Sequence, residues 1–196
     1  TEVPLCGHAT LATAHVLFAS HVPAAKEITF LTRKSGKLVV RRDAANVLVM
    51  DLPVNEPVSA NLDLGAMFAV PPLDVLMADG FLMAVLESAD IVRHHVPDRA
   101  AILALPHPLI ITARGEGDYD FVSRFFAPHI AIDEDPVTGA AHCVIAPYWA
   151  AQLGKTAMRA WQASARGGEV LCRVAGDRVE LSGRCVPYLT GQIEIA

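Results

Sequence analysis

Charge is scarce in this chain: 19% of its 196 residues are Asp, Glu, Lys or Arg, against 53% hydrophobic. Basic residues are thin in particular. Net charge is −5, and the only adjacent basic pairs are Arg33-Lys34 and Arg41-Arg42. That leaves no basic stripe of the kind that meets nucleic acid, so a nucleic-acid partner is excluded. Long apolar runs are missing too. Mean hydropathy is +0.36, yet no stretch reaches the length a membrane span needs, so no membrane partner is expected. The hydropathy instead predicts unusually buried helices and strands. No basic segment opens the chain, and His8, Thr10 and Thr13 break its first apolar stretch, so no signal peptide is read there. Cysteine is sparse, with Cys6, Cys143, Cys172 and Cys185 at no CxxC spacing. No finger or ribbon pattern of Cys and His exists, so no metal site is expected. A chain with a large core does not need disulfides, so reduced thiols and a cytoplasmic location are the expectation.

What is present is organised around two glycine-centred segments. One is Leu5-Cys6-Gly7-His8-Ala9-Thr10, running on to His15; the other is Asp133-Glu134-Asp135-Pro136-Val137-Thr138-Gly139-Ala140. Each leads into a helix of small and apolar residues, Gly7–Phe18 and Val137–Leu153. Both helices are apolar nearly all round, which predicts burial. Pro147 lies inside the second and predicts a kink or irregular turn; Gly154 reads as its C-cap.

Strands with alternating patterns follow each helix. After the first come Glu27–Thr32, Lys37–Arg42 and Val47–Leu52; after the second come Ala157–Ser164, Glu169–Val174, Arg178–Ser182 and Val186–Ile195. Between them, Pro53-Val54-Asn55-Glu56-Pro57 reads as a connection between lobes. Leu62–Phe68 reads as a short helix, and Leu73–Met77 with Phe81–Glu87 as a strand pair. Ser88–His94 and Asp98–Leu105 read as helices, and Leu109–Ala113 and Tyr119–Phe126 as strands. The halves form a weak internal repeat. The predicted domains are 1–52, with 185–196 joining them, for the first lobe and 53–184 for the second. A cleft between the lobes would receive both helix N-termini, whose free N–H groups and positive dipole ends suit an anion.

The candidate site residues come from these segments. His8, in the first turn of a helix, can donate or accept a hydrogen bond, or be an ordinary polar first-turn residue. Asp135 can cap the helix, with Pro136 in its first turn, or anchor a ligand amine or hydroxyl and move a proton. Thr138, Gly139 and Ala140 offer successive N–H groups, and Gly7 and Gly139 let a ligand approach the backbone. Arg124 can reach a carboxylate in the cleft or serve as a strand-edge cation. Cys6 is the thiol candidate. A two-thiol mechanism is disfavoured, because Thr138 and Gly139 stand where a second cysteine would be needed. The pair His94-His95 reads as a solvated face. A hydrolase using His8, His15 and Cys6 as metal ligands lacks suitable spacing.

At Cys6-Gly7-His8-Ala9-Thr10-Leu11-Ala12, Ser123-Arg124-Phe125-Phe126-Ala127-Pro128, Glu134-Asp135-Pro136-Val137-Thr138-Gly139 and Gln162 through Arg166-Gly167-Gly168, the chain resembles the phenazine-biosynthesis-like (PhzF-type) family. Its relatives include diaminopimelate epimerase and proline racemase. The resemblance implies an α+β, diaminopimelate epimerase-like fold: two pseudo-symmetric lobes, each a curved, mostly antiparallel sheet around a central helix, with the first lobe incomplete. It implies a cofactor-free isomerase that shifts a proton within a small carboxylated substrate. His8 and Asp135 match the family's cleft His and Asp, and Gly139 matches its backbone anion site. Ala140 stands where the family usually has Ser. The family's catalytic Glu lies upstream of the Gly-His motif, and Thr1 begins just before that motif. General acid–base groups typically contribute about 10²–10⁴-fold. The expectation is therefore a fragment of an isomerase, and the alternative a non-catalytic protein that binds a small acid. Exposed strand edges of this architecture can pair, so a homodimer is a further expectation.

Overall fold

A computed structural model describes residues 6–192 and 194. Leu5, where the first segment begins, and Ile195, where the last expected strand ends, lie outside the described residues. The fold is α+β, built on an eleven-stranded sheet that carries helices on both faces. Helix α1 (Gly7–Val16) continues into a wider turn at Leu17–His21. Strands β1 (Glu27–Leu31), β2 (Lys37–Arg42) and β3 (Leu48–Pro53) follow as an antiparallel meander. Next come β4 (Val58–Ser59), β5 (Asp74–Ala78) and β6 (Phe81–Val85). Helices α2 (Ala89–His94) and α3 (Arg99–Leu103) then lead to β7 (Leu109–Arg114) and β8 (Phe121–Phe126). Helix α4 (Gly139–Leu153) precedes β9 (Ala157–Gln162), β10 (Gly168–Ala175) and β11 (Arg178–Gly183).

The strand order is β1-β2-β3-β11-β10-β9-β8-β7-β6-β5-β4. Only β6/β7 and β8/β9 run parallel. A parallel pair needs a crossover, and α2 with α3 supplies one while α4 supplies the other. The crossovers bury the middle of the sheet from both sides, so every residue of β8 is buried. Phe121 and Phe125 face the core beneath α4, with Val144, Ile145, Met158 and Leu181. Val122 and Phe126 face the core under α2, with Leu82, Val92, Ile102 and Ile111. Trp149 stacks on Phe121 at 6.2 Å and donates its Nε1–H to Thr112 Oγ1 at 2.9 Å.

Local chemistry explains the helix ends. Ser88 Oγ accepts from the Ile91 N–H, and Asp98 Oδ1 accepts from Ala100 and Ala101. Gly154 closes α4 in the left-handed region at φ 63°. Helix α4 passes through Pro147 as a single helix.

Several expectations need correction. Leu62–Phe68 is not a helix; only a single 3-10 turn forms at Gly65–Met67. Among the described residues of Val186–Ile195 there is no strand, and Val186, Tyr188 and Leu189 are exposed. Alternation alone cannot form a strand without a neighbour to receive its hydrogen bonds. Helix α1 is not buried all round: Gly7 and Ala14 are its buried residues, while Ala9, Ala12, Thr13 and Val16 are exposed.

Candidate active site

The two helix starts abut. A Cβ placed on Gly7 would lie 3.4 Å from the Gly139 Cα, and one on Gly139 3.5 Å from the Gly7 Cα, so the two backbones pass within van der Waals reach of a single methyl group. Around this junction lies a cavity of about 760 Å³, a size that suits a small molecule. Cys6, Gly7, His8, Asp135, Thr138, Gly139 and Ala140 are among the residues that line it. Pro53, Val54, Phe81, Phe125, Ile130 and Ile132 give its lining an apolar share. Of the expected site residues, Arg124 alone does not line it.

The start of α1 is simple. Cys6 is the N-cap in extended conformation and makes no side-chain cap. Its Sγ lies 3.6 Å from His8 Nε2, and its carbonyl accepts from Thr10 Oγ1 at 2.9 Å. His8 is exposed to the cavity side.

The start of α4 is held from several directions. Its N-cap is Thr138, not Asp135, and Thr138 makes no side-chain cap. The Thr138 hydroxyl instead donates to Asp135 Oδ2 at 2.5 Å. Asp135 therefore caps nothing, because the Pro136-Val137 step puts it too far ahead of the first helical residue. The Thr138 N–H donates to Gln162 Oε1 at 2.7 Å, and Gln162 Nε2 donates to the Asp135 carbonyl at 2.7 Å. Ser164 Oγ donates to the Pro136 carbonyl at 2.8 Å. The Asp135 N–H donates to the Phe125 carbonyl at 3.0 Å, tying the loop to β8. Among the described residues, no protein acceptor meets the N–H groups of Gly139 and Ala140. They are the orphan donors of a helix start, on residues that line the cavity.

Behind this loop sits His142, fully buried. A carbonyl only accepts, so the 2.8 Å contact between His142 Nδ1 and the Thr138 oxygen puts the proton on Nδ1. Burial pushes the imidazole down to about 4, so it is neutral near pH 7. Its Nε2 has no partner among the described residues. Cys143 lines the cavity, but burial pushes its thiol up to about 12. A thiol held that high is not a nucleophile at neutral pH, in keeping with the disfavoured two-thiol reading.

Arg124 stands on the far face of β8 from Phe125, as strand alternation requires. Its guanidinium is bidentate to Glu134, at 2.7 and 3.0 Å, and donates to the His95 carbonyl at 2.6 Å beyond the end of α2. The expected substrate-facing role of Arg124 is thus replaced by a structural pairing. His95 is likewise not a solvated residue: it sits between Phe68 and Phe126, and burial beside Arg124 lowers its pKa. His94 does match a solvated face, beside Asp90.

Three features of the site were not read from the sequence. Gln162 was quoted only within a motif, although its place in phase with the buried Met158 and Ala160 marks it as inward-facing. Asn55 pins the linker, bonding both the N–H and the carbonyl of Asp79 at 3.1 and 2.9 Å. The apolar wall draws on four separate segments and has no local signal. No group of three or more His, Cys, Asp or Glu suited to a metal occurs among the described residues. Among the same residues, no helix is long and apolar enough to cross a membrane.

A profile of phenazine biosynthesis-like (PhzC-PhzF) proteins matches residues 1–191. The chain belongs to that family. Two uncharacterized isomerases of Pseudomonas aeruginosa are 47% and 42% identical to this phenazine biosynthesis-like chain. The matches cover 100% and 99% of it, and 75% and 74% of the relatives. A phenazine biosynthesis-like domain-containing protein of Rattus norvegicus is 37% identical over 98% of this chain and 74% of its own length. Among solved structures, a PhzC/PhzF protein from Clostridium difficile superposes with a TM-score of 0.89 at 38% identity, covering 100% of this chain and 75% of that one. A predicted epimerase of Pseudomonas aeruginosa, at 18% identity and a TM-score of 0.62, shares the fold over 93% of this chain and 72% of its own. The fold is of the diaminopimelate epimerase-like kind, and the family places the chain among isomerase-type enzymes.

Proposed function

We propose that this PhzF-type chain moves a proton within a small carboxylated metabolite, without a cofactor. The observation that carries the reading is the junction of two helix N-termini flanked by His8 and Asp135. A substrate carboxylate would accept from the N–H groups of Gly139 and Ala140. A general base of the whole enzyme, the family's Glu in the resemblance above, would take the proton from the adjacent carbon and return it at another position, and its removal places further negative charge on that carboxylate. Two converging dipole ends stabilise this charge more than the ground state, which is what accelerates the step. Asp135, steadied by the Thr138 hydroxyl, would accept from a substrate amine or hydroxyl. His8, on the opposite helix, would orient the substrate.

Deuterium incorporation from solvent into candidate cyclic amino or hydroxy acids by the full-length protein tests the proposal. The expected result is exchange that is lost in His8→Ala and Asp135→Ala. Exchange that survives both substitutions, or none in the wild type, overturns it.

Ala140 favours a second reading, a non-catalytic protein that binds small acids, because that position contributes only its backbone N–H. Calorimetry separates the two: tight binding of a small acid with no isotope exchange selects the second.

A further inference from the structure

Gln162 ends β9, the strand that lies parallel to β8 across the middle of the sheet. Its side chain is 1% exposed. Burying a primary amide is costly unless both of its ends are paired. Both ends are, and with one loop. The oxygen accepts from Thr138 N–H at 2.7 Å, and the nitrogen donates to the Asp135 carbonyl at 2.7 Å and to Thr138 Oγ1 at 3.2 Å. Resting on the isomerase reading above, we infer that Gln162 is the positioning residue of the site. It fixes the distance between the Asp135 carboxylate and the anion-binding helix start.

Two consequences separate this role from ordinary core packing. First, Gln162 occupies the Thr138 N–H. The substrate carboxylate is thereby directed to the next donors, Gly139 and Ala140, rather than to the N-cap. Second, the Thr138 hydroxyl receives a proton donor from Gln162 while giving its own proton to Asp135 Oδ2. The amide thus sets the direction of that hydrogen bond and with it the orientation of the carboxylate. A hydrocarbon side chain of similar size fills the space but does neither.

Two variants test this. Gln162→Leu removes both ends of the clamp. Gln162→Glu keeps an acceptor for Thr138 N–H and can donate to the Asp135 carbonyl only while the new carboxyl is protonated. Thermal melting reports folding, NMR hydrogen exchange reports the Thr138 amide, and deuterium incorporation into the wild-type enzyme's acid substrate reports activity. Gln162→Leu is expected to melt cooperatively, with the Thr138 amide exchanging at least tenfold faster while the Val122 amide in β8 stays protected. Its kcat falls at least tenfold, with a smaller change in KM. Gln162→Glu recovers activity as pH is lowered, a profile that a purely structural role would not produce. If Gln162→Leu does not fold, the pH profile of Gln162→Glu decides the matter. Wild-type exchange at the Thr138 amide in folded Gln162→Leu, or kcat within twofold of wild type in both variants, overturns the proposal. If the wild type incorporates no deuterium into any acid, the isomerase reading fails. The Thr138 amide of Gln162→Leu then decides the role of Gln162, with faster exchange supporting it and unchanged exchange overturning it.

Discussion

Helices α1 and α4 begin alike, with a glycine followed by small residues, and their N-termini meet at one cavity. Their surroundings differ. At the start of α4, Gln162, Ser164 and the Thr138 hydroxyl hold the loop at Asp135, Pro136 and Thr138. At the start of α1, among the described residues, side-chain hydrogen bonding consists of Thr10 on the Cys6 carbonyl, Thr13 on the Ala9 carbonyl and the Cys6–His8 pair. The bodies differ in the same sense. Eight residues of α4 are buried, from Ala141 to Trp149, against Gly7 and Ala14 in α1. Burial follows from what packs around the helix, and α4 lies over β9, β10 and β11 as the crossover between β8 and β9.

The sharpest way to break this comparison is to place a charge on each helix. Ala141, 1% exposed, has no room or partner for an ammonium group. Ala141→Lys should cost more than about 3 kcal/mol in urea denaturation. The pair proposed to hold the substrate comes next. His8→Ala and Asp135→Ala should each lower deuterium exchange by about 10²–10⁴-fold while leaving the melting transition cooperative. Equal losses at both positions would mean that the loosely held start contributes as much as the clamped one.

Acid sharpens the contrast further, because the buried histidine belongs to α4 alone. The folded-state pKa of His142 is depressed to about 4 from an ordinary 6.5. Below pH 6.5 the unfolded chain binds a proton that the folded chain refuses, so stability falls as pH drops through that window toward 4. The loss should be roughly 2 kcal/mol between pH 7 and pH 5. His142→Leu should flatten that slope in melting curves taken across the range.

Glycine substitutions give smaller effects. A Cβ on Gly168 would lie 2.3 Å from Val137 Cγ2, beneath the clamped loop. A valine is stiff at χ1 and cannot swing away freely, so Gly168→Ala should cost about 1–3 kcal/mol. Gly7→Ala meets Met50 Cε at 3.0 Å, the far end of a flexible side chain, and should shift the denaturation midpoint less. The smallest effect belongs to the open face of α1. Ala12→Lys should stay within about 0.5 kcal/mol of wild type by the same denaturation measurement.

Much of this architecture could be read locally. The meanders β1–β3 and β9–β11 follow from alternation punctuated by turn residues, and α2 from the Ser88 cap. That His8, Asp135 and Gly139 line one cavity could be anticipated because each sits next to a helix start, where backbone donors are left free. Arg124 was misread because its Phe-Phe neighbours say nothing about which face of β8 it takes or that Glu134 awaits it there. Asp135 read as a cap because Asp before a helix usually is one; the actual start, at Gly139, leaves its carboxylate to Thr138 instead.

Sequence alone determined most of the elements and the two glycine-centred starts, since hydrogen-bond inventory and helix polarity are local properties. Tertiary structure decided how the starts face each other, which of the two helices is enclosed, and that Gln162 holds one of them. Those depend on which strands become neighbours: β8 beside β9 and β3 beside β11, pairings set by long-range hydrogen bonding between segments far apart in the chain.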